Sequence, residues 1–237
     1  MKNKNRDYLY VPEKESKELP KFIMVHVPKT GGNTFRRIVV HPLYGRKHVN
    51  EHKDRFSINK TFAYENFTYE FNRLKEPEQY HVISGHFRAS KYQYLNRPII
   101  AWVRHPVSRA VSHYYNWIDG MKDKQTRAPI PQSEYNKLPW LKYFEAGMNL
   151  IEFSQMYGDY MSHFFDIPLE KFAFIGVLEK YEESILKFGK LFNLKIPRNN
   201  QKYNVRGPHH IDLKTKRQMA KYHLKDFEIY NKALEML

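Results

Sequence analysis

The residues with the clearest chemistry are Lys29-Thr30-Gly31-Gly32-Asn33-Thr34. Two successive glycines let a backbone approach a ligand closely. A turn of this kind at the start of a helix gathers free backbone N–H groups at the positive end of the helix dipole. The result is a cradle for a phosphate-like anion, to which Lys29 adds a mobile positive charge. His86 and Arg104 stand in equivalent places, each directly after a short apolar run. An imidazole, with a reference pKa of about 6.5, can accept a proton near neutrality. A guanidinium pairs two phosphate oxygens at once through its planar fork.

The elements that must carry these residues follow from the pattern. Phe22 to Val27 is mostly apolar and partly β-branched, and reads as a buried strand. After the turn, Asn33 or Thr34 is the expected N-cap of a helix with Phe35, Ile38 and Val39 on one face, and Pro42 is expected to end it. Residues 43–79 are polar and aromatic. Tyr80 to Ser84 reads as a second strand leading into Gly85-His86-Phe87. Arg97 to Val103 reads as a third, with Arg104 at its carboxyl end. Pro106 suits the first turn of a helix through Trp117, with Val107, Ala110, Val111 and Tyr114 as its apolar stripe. Residues 119–140, with Gly120, Pro129, Pro131 and Pro139, read as a long loop of the sort that covers or binds. Residues 149–165 read as a helix, Phe172 to Leu178 as a fourth strand and 180–193 as an amphipathic helix. Residues 199–210 form a polar, basic loop, and from Asp212 the chain reads as helical to its end with room for one break.

Strands alternating with helices imply βαβ units. The expected fold is α/β: a P-loop-like, mostly parallel sheet of four to five strands, flanked by helices on both faces. Ligands of such sheets bind outside the carboxyl ends of the strands. If the strands are neighbours, Lys29, His86 and Arg104 meet at one edge. Residues 1–20 are expected to form an N-terminal arm and residues 21–237 a single domain.

With 237 residues, 41% hydrophobic and 16% aromatic, the chain suits a globular protein with a sizeable core. No apolar run approaches the roughly 20 residues of a membrane helix, and the charged N-terminus lacks the apolar segment of a signal peptide. The absence of cysteine excludes disulfides, thiolate metal sites and cysteine nucleophiles, and fits a reducing compartment. The net charge of +15 suits a lysine-rich solvated surface or an anionic partner. A nucleotide, an acidic glycan and a nucleic acid all satisfy the second reading. His48 and His52 would share a face of a helix, but no third metal ligand accompanies them, and no metal is expected.

The turn departs from the nucleoside-triphosphate loop G-x-x-x-x-G-K-[ST], because Lys29 precedes the glycines. No convincing apolar run ends in an aspartate for Mg²⁺, which a triphosphate normally needs. A less charged transferable group fits better. His26 to Phe35 resembles the 5′-phosphosulfate loop of sulfotransferases that use 3′-phosphoadenosine 5′-phosphosulfate (PAPS). Ile99 to Tyr115 resembles their 3′-phosphate segment, in which an Arg ends a strand and a Ser follows eight residues later, here Arg104 and Ser112. Phe174 to Glu179 with Tyr181 to Ser184, then Asn204, Asp226 and Tyr230, resemble late segments of the branch containing the heparan sulfate 2-O- and 6-O-sulfotransferases. The likeness covers roughly residues 21 to 233.

The resemblance implies that Lys29 stabilises the leaving nucleotide, adenosine 3′,5′-bisphosphate, and that Thr30, Gly31, Gly32, Asn33 and Thr34 bind the 5′-phosphate. It places the 3′-phosphate on Arg104 and Ser112, with Arg206 as a further contact by analogy of position. It makes His86 the general base; His81 and His26 are the competitors. Arg88, His209 and His210 are weaker candidates, while Arg36, Arg37 and Lys91 could line an acidic acceptor groove. The implied acceptor is a hydroxyl, expected on a carbohydrate and in particular an anionic glycan, with a tyrosyl peptide, lipid or small alcohol still open. Asn33 replaces the more usual Thr. The chain is short beside the animal enzymes and lacks their membrane anchor, so a cytoplasmic bacterial or viral protein is expected, with no nucleic-acid partner. The alternatives are an atypical P-loop kinase, predicting Mg²⁺-ATP turnover, and a basic nucleic-acid-binding protein, predicting salt-sensitive affinity.

Overall fold

Five of the nine strands among the described residues join into one sheet. In the computed structural model the described residues are 8–12, 18–51, 55–58, 67–70, 74–126, 147–197 and 209–237. The strands are β1 (Tyr8–Tyr10), β2 (Phe22–Val25), β3 (His48–Glu51), β4 (Arg55–Ile58), β5 (Phe67–Glu70), β6 (Val82–Gly85), β7 (Ile99–Val103), β8 (Phe172–Val177) and β9 (Ile196–Pro197). The α-helices are α1 (Gly32–Phe35), α2 (His41–Tyr44), α3 (Pro106–Thr126), α4 (Leu150–Met156), α5 (Tyr181–Phe192), α6 (Leu213–Ala220) and α7 (Leu224–Glu235). The main sheet runs β3-β6-β2-β7-β8 and every pairing is parallel. β1 pairs with β9 and β4 with β5, both antiparallel.

This order creates the site. The chain leaves the central β2 for the β3–β6 side and later leaves β7 for β8 on the other side. Connections that depart in opposite directions open a crevice at the carboxyl ends of β2 and β7. Val25 pairs with Gly85 on one side and Ala101 on the other, so the segments after β6, β2 and β7 emerge side by side.

Alternation along β2 feeds two cores. Phe22 and Met24 join Ile100, Trp102 and Phe174 under Phe35, Ile38 and Val39 of the helical stretch after the turn and Ile185, Phe188 and Phe192 of α5. Ile23 and Val25 join Ile83, Ala101, Val103 and Ile175 on the opposite face, under Ile229, Tyr230 and Ala233 of α7. Phe188 is fully buried, edge-on to Phe22 and Phe35. Burying such a ring contributes about 1.5–3 kcal/mol. A third cluster packs Val107 and Ala110 of α3 against Phe153 of α4 and Met219 of α6, and so fixes α3 across the mouth of the sheet.

The expected α/β class holds, with five strands in the sheet. Local differences are instructive. The helix after the turn is capped by Gly31, not by a side chain of Asn33 or Thr34. Pro42 does not end the helix, which continues to Tyr44. Residues Arg36–Val40 adopt π-type hydrogen bonding, with the His41 N–H donating to Arg36 O, so the helix has already changed its pairing before the proline removes a donor. α3 runs on to Thr126, through Gly120 and into the expected loop. Only Leu150–Met156 of the expected 149–165 helix is helical; 158–164 is a series of turns. His48 lies in a strand, not a helix. The expected break in the C-terminal helix falls between α6 and α7. No helix among the described residues is long and apolar enough to cross a membrane. Most of the 119–140 loop, Asn204 and Arg206 lie outside the described residues.

Candidate active site

The turn after β2 is held in a left-handed conformation at two positions, Lys29 (φ 70°) and Gly31 (φ 92°). The left-handed region costs an L-residue about 1–2 kcal/mol, so the backbone at Lys29 carries local strain. Buried Thr30 fastens the turn, its hydroxyl donating to Val27 O at 2.8 Å. A Cβ on Gly31 would come within 2.7 Å of Leu178 Cδ1, beyond the strain at that φ. A Cβ on Gly32 would press into the His26 ring, 2.9 Å from Nε2. Both glycines therefore serve close approach. Phe35 N donates to Gly31 O, so the helix begins at once, and its opening N–H groups have no acceptor within the helix. Arg36 donates to the Asn33 side-chain oxygen through Nη2. Its Nε and Nη1 are buried without hydrogen-bond partners among the described residues, and burial followed by the charge of Arg37 lowers its pKa.

His86 follows β6 and reaches back over β2. Its Nδ1 lies 2.6 Å from the His26 carbonyl oxygen, and its ring stacks on the His26 ring at 4.6 Å. A carbonyl only accepts, so Nδ1 carries the proton and Nε2 is the basic nitrogen. The competitor His81 precedes β6 at the amino end of the sheet, where its N–H donates to Lys47 O. The other competitor, His26, is 4% exposed and serves as the platform for His86.

Arg104 follows β7, and its Nη1 donates to Lys29 O at 3.4 Å, tying the two cationic segments together. Burial lowers the Arg104 pKa and the carboxylate of Glu179 opposes that shift. Glu179 also accepts from His105 N at 3.0 Å and from the Tyr230 hydroxyl, which joins the ends of β7 and β8 to α7. Lys29 Nζ donates to Asn116 Oδ1 at 3.1 Å on α3. Ser112 is half-buried one turn before Asn116 on the same helix. Lys29, Thr30, the glycine turn, His86 and Arg104 thus converge at one edge of the sheet, and α3 meets Lys29 there through Asn116. His209 stacks on Tyr115 of α3 at 3.5 Å, beyond the segment that contains Arg206.

Sequence reasoning missed Asn116 and the group behind it. Arg109 is fully buried, with Nη1 3.3 Å from His113 Nδ1, Nη2 donating to Tyr157 O, and Nε 4.0 Å from Asp226 Oδ2. Asp226 accepts from Met161 N and Ser162 N, yet burial pushes its pKa up to about 6 against the pull of Arg109. The 109, 113, 116 spacing on the helix after Arg104 was the available signal. Lys91 does not line a groove. It is buried in an ion pair with Glu51 at 2.9 Å, and Tyr92 donates to the same carboxylate. Among the described residues no cluster of three His, Asp or Glu could hold a metal.

This arrangement can hold an anion at the glycine turn, place a second one near Arg104, and accept a proton at His86. No curated protein matches the sequence. Among solved structures the chain is similar to a sulfotransferase from Alicyclobacillus acidocaldarius, at 12% identity and a TM-score of 0.46, over 92% of this chain and 96% of that one. The model of the family described as "Sulfotransferase family" matches residues 16–233. The chain therefore belongs to the sulfotransferase family, enzymes that transfer sulfate.

Proposed function

We propose that the protein moves a sulfuryl group from PAPS to an acceptor hydroxyl by in-line attack. The family implies a nucleotide sulfate donor. PAPS supplies a sulfuryl group activated on its 5′-phosphate and a second phosphate on the 3′-oxygen. The observation that carries this reading is the Arg104-to-Lys29 link, which sets a guanidinium beside the glycine cradle and so suits a ligand with two separated phosphates. The cradle fits because neither glycine leaves room for a side chain. Lys29, Thr30, Gly31, Gly32, Asn33 and Thr34 would hold the 5′ end, and Arg104 with Ser112 the 3′-phosphate. Arg206 is assigned to the same phosphate by position.

His86 Nε2 takes the hydroxyl proton as the acceptor oxygen bonds to sulfur. Its Nδ1 bond to the His26 carbonyl keeps that tautomer and aims the ring. Lys29 meets the negative charge left on the nucleotide when the sulfur–oxygen bond breaks; preorganised charge of this kind is commonly the largest catalytic contribution. The acceptor is taken to be a carbohydrate hydroxyl, and the net charge of +15 favours an anionic glycan. Residues 21–237 would act as one domain, and the cysteine-free composition suits a cytoplasmic setting.

The test is transfer of labelled sulfate from PAPS to a panel of glycan, tyrosyl-peptide and small-alcohol acceptors. Lys29→Ala and His86→Ala should abolish transfer, while His81→Ala, at the far end of the sheet, should not. Wild-type transfer in His86→Ala removes the base assignment. Mg²⁺-ATP turnover with no PAPS-dependent transfer replaces the reading with a kinase.

A further inference from the structure

His113 sits on α3, 5% exposed, among the rings of Trp117, Phe153 and Tyr160 at centroid distances of 4.8, 5.7 and 5.3 Å. One turn earlier Arg109 brings Nη1 to 3.3 Å from His113 Nδ1. A guanidinium only donates. Nδ1 is therefore the acceptor, and the ring proton is on Nε2, the opposite tautomer to His86. Three residues later, at same-face spacing, Asn116 holds Lys29 Nζ. His113 thus shares with Asn116 the side of α3 that meets Lys29. The charges of Lys29 and His86 both reach its ring.

We propose that His113 is a further catalytic residue, a neutral hydrogen-bond donor whose Nε2–H meets a non-bridging oxygen of the transferred sulfuryl group. This assignment rests on the sulfuryl-transfer reading. The His113 proton is not given up; it stabilises charge while the oxygen–sulfur bond forms and the phosphate–sulfur bond breaks. Burial, then Arg109, Lys29 and His86, hold the ring far below its ordinary pKa, so it remains a neutral donor throughout the working range. With its Nδ1 lone pair occupied by Arg109, it does not compete with His86 for the acceptor proton.

Two measurements test this on the full chain. In ¹⁵N-histidine-labelled protein, long-range proton–nitrogen spectra should show His113 as the Nε2–H tautomer, with its Nε2 shifted more by PAPS than by adenosine 3′,5′-bisphosphate. An Nδ1–H tautomer, or equal shifts, overturns the proposal. In turnover, His113→Phe keeps the packing and loses the donor, so kcat should fall by about 10²–10³-fold, with bisphosphate affinity unchanged. His113→Gln, which can face Arg109 with its oxygen and the crevice with its amide N–H, should recover much of that loss. Wild-type kcat in His113→Phe, or no recovery with Gln, overturns the assignment. If the wild-type protein neither binds the bisphosphate nor transfers sulfate, the sulfuryl-transfer reading fails and this assignment with it. If it does both and His113→Phe matches it, only His113 is removed.

Discussion

Gly32→Ala tests whether the His26 platform positions His86. Gly32 has no positive φ, so the effect of a methyl there is steric. The new Cβ would press hardest on His26 Cδ2, and would sit 2.9 Å from His26 Nε2 and 3.1 Å from Met24 Cε. The thioether end of Met24 can yield. The His26 ring has less freedom, being buried and stacked on His86 at 4.6 Å. Restoring ordinary carbon–carbon separation at Cδ2 requires a ring shift of about 1–1.5 Å. Overpacking of this kind costs about 1–3 kcal/mol of stability. A displacement of about 1 Å in a positioned group can cost about 10²-fold in rate. The assay is a double-mutant cycle: kcat and denaturant stability for Gly32→Ala, His26→Ala and the pair. The backbone carbonyl that holds His86 Nδ1 survives in every member. Without the ring the methyl has nothing to displace, so the coupling should be about 1–3 kcal/mol. An equal loss from Gly32→Ala in both backgrounds refutes the platform.

Three other outcomes follow. Asn116→Ala removes an acceptor from Lys29 Nζ and should lower kcat by about tenfold, near the 1.4 kcal/mol of one such bond, with the donor KM unchanged in steady-state kinetics. Lys91→Met leaves the Glu51 carboxylate buried without its cation; chemical denaturation should show a loss of about 3–5 kcal/mol, much of it recovered by adding Glu51→Leu. His223 is fully buried, and burial, then Arg109 and His105, hold its pKa down to about 3, below the ordinary 6.5. At this residue the unfolded chain binds the extra proton, so the His223 contribution to stability falls as pH drops from about 6.5 towards 3, by up to about 1.4 kcal/mol per unit, while neighbouring Asp226, its pKa raised to about 6, opposes that fall below about pH 6. His223→Leu should flatten that slope in denaturation curves at stepped pH, and an unchanged slope would remove the assignment.

The interior strands β2, β6 and β7 were readable because they are buried on both faces and so spell apolar runs, and the edge strand β8 was readable because all of it but Ala173 is buried. The residues that follow them were readable for the same reason. β3 was not, because an edge strand can use polar side chains. His48 Nε2 lies 2.8 Å from Ser84 Oγ, Ser84 Oγ donates to Asn50, and Glu51 holds Lys91 and Tyr92. Of His48-Val49-Asn50-Glu51 only Val49 carries an apolar signal. The capping error has a local cause. With Lys29 and Gly31 both left-handed, the backbone of Gly31 starts the helix and no side chain is needed there. Asn116 joins Lys29 across 87 positions, and Arg109 joins Asp226 across a still longer span. Such pairs arise only when α3 is laid against the turn and α7, a tertiary event that no local pattern encodes. Lys91 was misread because a lysine is ordinarily exposed, whereas here its charge is matched in the interior.

The most direct test of a two-phosphate donor site is calorimetric titration with adenosine 3′,5′-bisphosphate beside adenosine 5′-monophosphate. Charge-assisted bonds to the 3′-phosphate should make the bisphosphate about 10–100-fold tighter in the wild-type protein. Arg104→Ala should collapse that difference while leaving the monophosphate affinity nearly intact. Equal affinity for the two nucleotides in the wild type, or an undiminished preference in Arg104→Ala, would contradict the account.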